Sequence, residues 1–225
     1  MKNLSIYKCV YCSSQHLYKV SATQYKCVTC RKKFSAKKVQ FDLQVIATFC
    51  DGINAQKASQ ILGVNYKTVQ SRYKDFRLLI TNFLEQQYQN RKEEFDEYEE
   101  YYYLDANKRT NITYISDAIC ILGMSYGTNI YTLLLQNPFA YAKNDHTIDP
   151  LTLIEYAKYF NRYKIIHYEK FDNILVRFWL HVEKSMRQFK GVSYKNFIFY
   201  LKECEFSFNF ERQKREQILK ELWFV

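Results

Sequence analysis

Four cysteines stand where they could close a metal site. Cys9-Val-Tyr-Cys12 is followed, after a fourteen-residue spacer, by Cys27-Val-Thr-Cys30. A Cys-x-x-Cys pair delivers two thiolates from one tight turn, and two such turns complete a tetrahedral sulfur cage of the kind that holds structural Zn²⁺. Lys8, Lys26, Arg31 and Lys32 flank the thiolates and offset their excess negative charge. Two disulfides or a redox-active pair are the alternatives for this spacing. No secretory signal opens the chain, so a reducing, cytoplasmic setting is expected and disulfides are not. The expectation is one structural Zn²⁺ bound by Cys9, Cys12, Cys27 and Cys30. Cys50, Cys120 and Cys204 lie in apolar surroundings and are expected to be small buried hydrophobes.

The elements that must position these sulfurs are short. Leu17-Tyr18-Lys19-Val20 and Gln24-Tyr25-Lys26 fit two brief strands running from one knuckle to the next, the pattern of a zinc ribbon. Arg31 to Lys38 follows as a basic connector with too few apolar positions to fold alone. Its Arg31, Lys32, Lys33, Lys37 and Lys38 suit a phosphate backbone. Phe41 to Phe49 then carries the apolar spacing of a short helix. Asn54 is placed to cap a second, with Ala58, Ile61 and Leu62 facing inward.

Gly63 sits where a left-handed turn is needed, and Asn65 can cap a third helix from Tyr66 to about Ile80. Small Ala58, turn Gly63 and inward Val69 together spell a helix-turn-helix. The outward residues of its second helix are expected to be Lys67, Thr68, Gln70, Ser71, Arg72 and Lys74. These types suit base edges and phosphates: glutamine for adenine, arginine for guanine, lysine and serine for the backbone.

Charge is divided along the chain as a polyanion-binding head would require. Residues 1–80 hold 14 Lys and Arg against 3 Asp, a net +11, whereas the remainder holds 19 against 20, a net −1. All of the basic excess therefore lies in the first third, which points to nucleic acid. With 5 Gly and 2 Pro in 225 residues and 18% aromatics, the chain has material for a packed core and is not a linker. It contains no apolar run of membrane-spanning length, so no membrane association is expected.

Beyond a polar connector helix, Thr81 to Lys92, the composition turns acidic. Residues 93–105 carry seven acids in thirteen, alternating with aromatics as in a strand with one buried face. Ile119 to Tyr126 and Ile130 to Leu135, joined at Gly127, fit a hairpin that completes a three-stranded antiparallel unit. Helical patterns follow over 151–160, around Phe171 to Phe189, around Phe197 to Phe208, and from Glu211 to Trp223.

These pieces, in this order, resemble bacterial insertion-sequence transposases with an RNase-H-like DDE domain. Beside the ribbon and the helix-turn-helix, three stretches carry the resemblance. Phe95-Asp96-Glu97-Tyr98 is similar to the family's first catalytic strand. Asn173-Ile-Leu-Val-Arg-Phe-Trp179 is similar to its Asn-x-x-Glu-x-x-Trp helix, and Tyr200 to Asn209 to its closing Tyr-Leu-x-Glu motif ending in Phe-Asn.

The resemblance implies three carboxylates holding two Mg²⁺ ions for in-line attack on phosphate. Asp96 corresponds to the first, but Val176 stands in place of the third. The second should end an apolar strand, and Tyr163-Lys-Ile-Ile-His-Tyr168 ends without an aspartate. Asp117, Asp145, Asp149 and Asp172 stand in other contexts.

The fold class expected is α+β: a zinc ribbon and basic connector over 1–38, a helix-turn-helix with connector helix over 39–92, and a truncated RNase-H-like α/β body with a helical C-terminus over 93–225. The function expected is recognition of double-stranded element DNA in the cytoplasm, at the nucleoid, by a transposase relative impaired in catalysis. Mg²⁺ is required only if its site is active, and homo-oligomerisation on DNA stays open. An active transposase with rearranged carboxylates, or a zinc-ribbon transcription regulator or adaptor, are the alternatives.

Overall fold

The computed structural model describes residues 8–91, 94–105, 108, 116–138, 140, 173–189 and 191–224. The helix expected over 151–160, the strand over 163–168, and Asp145, Asp149 and Asp172 lie outside them. In chain order the elements are β1 (Leu17–Lys19), β2 (Gln24–Cys27), β3 (Lys33–Ser35), α1 (Ala36–Cys50), α2 (Ala55–Leu62), α3 (Tyr66–Gln89), β4 (Glu97–Tyr103), β5 (Ile119–Tyr126), β6 (Asn129–Leu135), α4 (Ile174–Met186), α5 (Tyr194–Asn209) and α6 (Arg212–Trp223). Helices and strands are mixed, and the strands form two small antiparallel sheets, β1-β2-β3 and β4-β5-β6. No helix among the described residues is long and apolar enough to cross a membrane.

The chain forms two compact units, Met1–Phe83 with Phe210–Val225, and Leu84–Asn209. The boundary expected at 92/93 is thus displaced, and the last helix belongs to the first unit. Packing explains it. Ile218 and Leu219 of α6 are buried, Trp223 meets Phe76 edge-on at 5.0 Å, and Arg212 pairs with Asp51 at 2.9 Å.

In the first unit the basic stretch after the second knuckle is not a bare connector. Residues 33–35 form β3, with Phe34 paired to Tyr25 across the ladder, and α1 begins at once at Ala36. One buried aromatic ring is enough: Phe34 stacks on Tyr25 and meets Tyr11 edge-on, and it shares a core with Cys9, Cys27 and Val39. The lysines around it stay exposed, so charge and strand coexist.

Three capping expectations hold. Asn54 accepts from the Lys57 N–H at 2.9 Å, Asn65 accepts from the Lys67 N–H at 2.8 Å, and Gly63 ends α2 at φ 63°, where a side chain would be strained. Ile61 does not face inward; it is 58% exposed. The buried side of this eight-residue helix centres on Ala58 and Ser59, which rotates Ile61 outward. Val69, Tyr73, Phe76 and Ile80 give α3 its buried stripe, and Phe49 of α1 meets Tyr73 and Phe76 edge-on at 4.9 and 5.5 Å.

In the second unit the acidic strand and the hairpin pair as expected, Tyr101 opposite Ile121 and Met124 opposite Tyr131. Helices α4 and α5 cover one face with Leu175, Phe178, Trp179, Phe197 and Leu201. Trp179 stacks on Tyr101 at 4.5 Å and lies over Gly123, where an added Cβ would stand 2.6 Å from Trp179 Cζ2. That close approach is why the middle of β5 carries a glycine.

Strand β6 is an edge of its sheet among the described residues, and α5 attends to it with three side chains one face apart. Asn209 takes both the N–H and the C=O of Ile130, at 2.8 and 2.7 Å. Glu205 accepts from the N–H and hydroxyl of Thr132, and Lys202 donates to the Thr132 carbonyl at 2.8 Å. Polar side chains thus replace the missing neighbour strand.

Candidate metal centre and nucleic-acid face

The two cysteine knuckles are built alike. The N–H groups of Tyr11 and Cys12 point at Cys9 Sγ, and those of Thr29 and Cys30 point at Cys27 Sγ, the same offsets in each turn. The residue after the second cysteine of each pair, Ser13 and Arg31, has φ 59°. A left-handed residue there turns the chain back at a cost of roughly 1–2 kcal/mol each, which a bound metal can offset.

Sheet β1-β2-β3 carries the second knuckle to the first. Cys9 Sγ lies 3.6 Å from Cys30 Sγ, Cys12 Sγ lies 3.6 Å from Cys27 Sγ, and all four sulfurs fall within 4.8 Å of one another. Four sulfurs at about 2.3 Å from a tetrahedral ion would be about 3.8 Å apart, so the four thiols are gathered at the scale a zinc ion would need. No disulfide joins them. The Cys30 N–H, ahead of the opposing effect of burial, pulls the Cys27 pKa down to about 6, whereas burial pushes Cys9 up to about 12. A shared cation would allow all four to ionise together. Cys50, Cys120 and Cys204 are buried elsewhere, and burial pushes the Cys50 thiol up to about 12, as an inert core thiol requires.

Basic residues surround this cage on the same unit. Arg31, Lys32 and Lys33 are exposed along the second knuckle and β3, with Lys32 Nζ 4.6 Å from the Tyr11 ring centroid. Lys37 and Lys38 are exposed on the first turn of α1. On α3, Lys67, Thr68, Gln70, Ser71 and Lys74 are exposed as expected.

Arg72 is not part of that outward set. Its Nε donates to Asp42 Oδ1 at 3.0 Å, and its guanidinium lies 5.0 Å from the Trp223 ring centroid. Asp42 has a side chain only 4% exposed. Sequence reasoning missed both partners, although one signal was there: Asp42 is the lone acid in the first fifty residues. Two exposed apolar side chains were also missed, Ile61 and the 45%-exposed Tyr66 at the start of α3.

The expected catalytic Asp96 lies just before β4. Its N–H donates to the Ser125 carbonyl, and its Oδ2 accepts from the Gly127 N–H at 2.5 Å, tying down the β5–β6 turn. Glu97 accepts from the Asn173 amide at 3.5 Å, and Glu99 from the Trp179 indole at 3.0 Å. Val176 is buried, its N–H held by the capping Asn173. Asp117 pairs with Lys108 at 3.0 Å. Among the described residues no three carboxylates converge; the four cysteines are the one group arranged for a metal ion.

Compared with family models, with curated proteins and with solved structures, the chain matches none of them.

Proposed function

We propose that the chain is a DNA-binding protein of insertion-sequence transposase descent, impaired in strand chemistry. In this reading β1-β2-β3 is a zinc ribbon, α2 and α3 are a helix-turn-helix, and β4-β5-β6 with α4 is the remnant of an RNase-H-like body. The observation that carries it is the four-sulfur cage set among exposed lysines and arginines, on the same unit as a helix pair hinged at a left-handed Gly63. The basic excess of the first eighty residues supports the same partner, double-stranded DNA.

Binding by the zinc-loaded full chain should be strongly salt-dependent. Neutralising about five phosphates would lower affinity on the order of 500-fold between about 50 and 200 mM salt. Fluorescence anisotropy with a labelled duplex measures this, and affinity indifferent to salt would mean that the basic face is only solvated surface. Residues 1–80 alone are not the right test, because α6 supplies Leu219 and Trp223 to their core.

Strand cleavage and transfer are expected to be absent with Mg²⁺ or Mn²⁺. Two-metal chemistry needs several oxygen donors around an ion pair. Here Asp96 holds a turn, and the position matching a third carboxylate is the buried Val176. Val176→Glu alone should not restore activity. An end-cleavage assay on the element's own termini decides the matter, and metal-dependent nicking that disappears in Asp96→Asn would overturn this part of the reading.

A further inference from the structure

The exposed face of α3 carries a composition that narrows what it could read. Lys67, Gln70, Ser71 and Lys74 recur at helical spacing opposite the buried Val69, Tyr73 and Phe76. Thr68 and Tyr66 stand beside them at the start of the helix, and Ile61 is exposed on α2. Among the described residues, the side chains of Lys67, Thr68, Gln70, Ser71 and Lys74 make no hydrogen bond or ion pair.

Both guanidinium groups of this helix are absent from the face. Arg72 is held between Asp42 and the Trp223 ring, its side chain 24% exposed. Arg77 is buried, 5.9 and 6.0 Å from the ring centroids of Phe49 and Tyr73. Guanine is read most often by a planar fork of donors meeting O6 and N7 together. Freeing Arg72 to do so would leave the buried Asp42 carboxylate without its partner, a costly exchange.

What the face retains is one amide fork, Gln70, together with methyl, ring and hydroxyl groups. A glutamine amide both donates to and accepts from adenine at N7 and N6, and apolar side chains meet the thymine methyl in the major groove. The lysines are point charges suited to phosphate.

We infer that α3 recognises an A·T-anchored duplex site, with Gln70 reading adenine, Thr68, Tyr66 and Ile61 available to thymine methyl groups, and Arg72 fastened inside the fold. The inference rests on the DNA-binding reading above and specifies its target.

The test selects bound duplexes from a pool with a randomised core, using the zinc-loaded full chain. Three proteins are compared: wild type, Gln70→Ala, and the pair variant Asp42→Asn/Arg72→Gln, which removes both charges together. The expected consensus holds at least one adenine whose replacement by guanine weakens wild-type binding roughly 5- to 150-fold. That discrimination should vanish in Gln70→Ala and persist in the pair variant.

A consensus anchored on guanine and lost in the pair variant overturns the inference, as does a consensus unchanged by Gln70→Ala. If circular dichroism shows the pair variant unfolded, the exposed Gln70 arm decides alone. Wild-type protein that binds no duplex at any salt overturns the DNA-binding reading itself, an outcome distinct from binding with a guanine-anchored site.

Discussion

Purified protein is expected to carry one zinc per chain, and Cys27→Ser to lose it together with the fold of the ribbon. Structural zinc in a small four-ligand module supplies an apparent 10–16 kcal/mol, on the order of the whole stability of an ordinary domain. The ribbon has little to set against that loss. Its core among the described residues is Cys9, Cys27, Phe34 and Val39, with half-buried neighbours such as Tyr25 and Leu43. Two of those four are cysteines of the proposed zinc site. Because Val39 and Leu43 belong to α1, unfolding the cage should also loosen the first turns of that helix. Elemental analysis gives the stoichiometry, and hydrogen exchange over residues 9–43 gives the extent of the damage. Full zinc content in Cys27→Ser, or a ribbon that stays protected after chelation, would sink the claim.

Glu205→Ala is expected to destabilise the protein by about 3–5 kcal/mol, the usual effect of stranding one member of a buried ion pair. Glu205 is 1% and Lys202 3% exposed at their side chains, with Nζ and Oε2 2.8 Å apart. The same carboxylate satisfies the N–H and hydroxyl of Thr132, at 3.0 and 2.6 Å, and Lys202 sits 3.7 Å from the Tyr131 ring centroid. Burial, working against Lys202, still holds the Glu205 carboxyl above its usual range, so its pairing is a condition of its being there at all. Lys202→Met/Glu205→Gln keeps an acceptor for Thr132 and removes both charges, so it should cost less than Glu205→Ala alone. Urea unfolding of the variants measures the difference. A double variant as unstable as the sum of Lys202→Met and Glu205→Gln measured singly would mean that the two side chains act independently.

These two sites mark the difference between what was legible in the chain and what was not. The cysteine spacing marked the four-sulfur group, because both members of each pair sit on one turn, and the short sheet β1-β2-β3 then brings the two pairs together. The helix boundaries at Asn54, Gly63 and Asn65 were legible for the same reason: a cap or a left-handed residue acts within three or four positions of itself. The hairpin at Gly127 and the acidic strand beside it followed from alternation and turn chemistry. The closing stretch from Tyr200 to Asn209 stood out in the sequence, but not its task, which is to supply an edge strand seventy residues away with hydrogen bonds.

Partner choice between elements was decided by the tertiary structure. Arg72, three residues after Val69 and four before Phe76, borders the buried stripe, and the buried Asp42 thirty residues earlier and a ring from the last helix hold it there, since a buried carboxylate left alone costs more than an exposed arginine gains. Ile61 turns outward because an eight-residue helix can bury only one narrow face, and Ala58 with Ser59 occupies it. Residues 210–225 join the first unit because Trp223 packs on Phe76 and Ile218 and Leu219 are buried, a fit that no local period announces. Periodicity states which side of an element is apolar. Which neighbour covers it, and which charge is drawn under that cover, depends on shapes that exist only once the chain has folded.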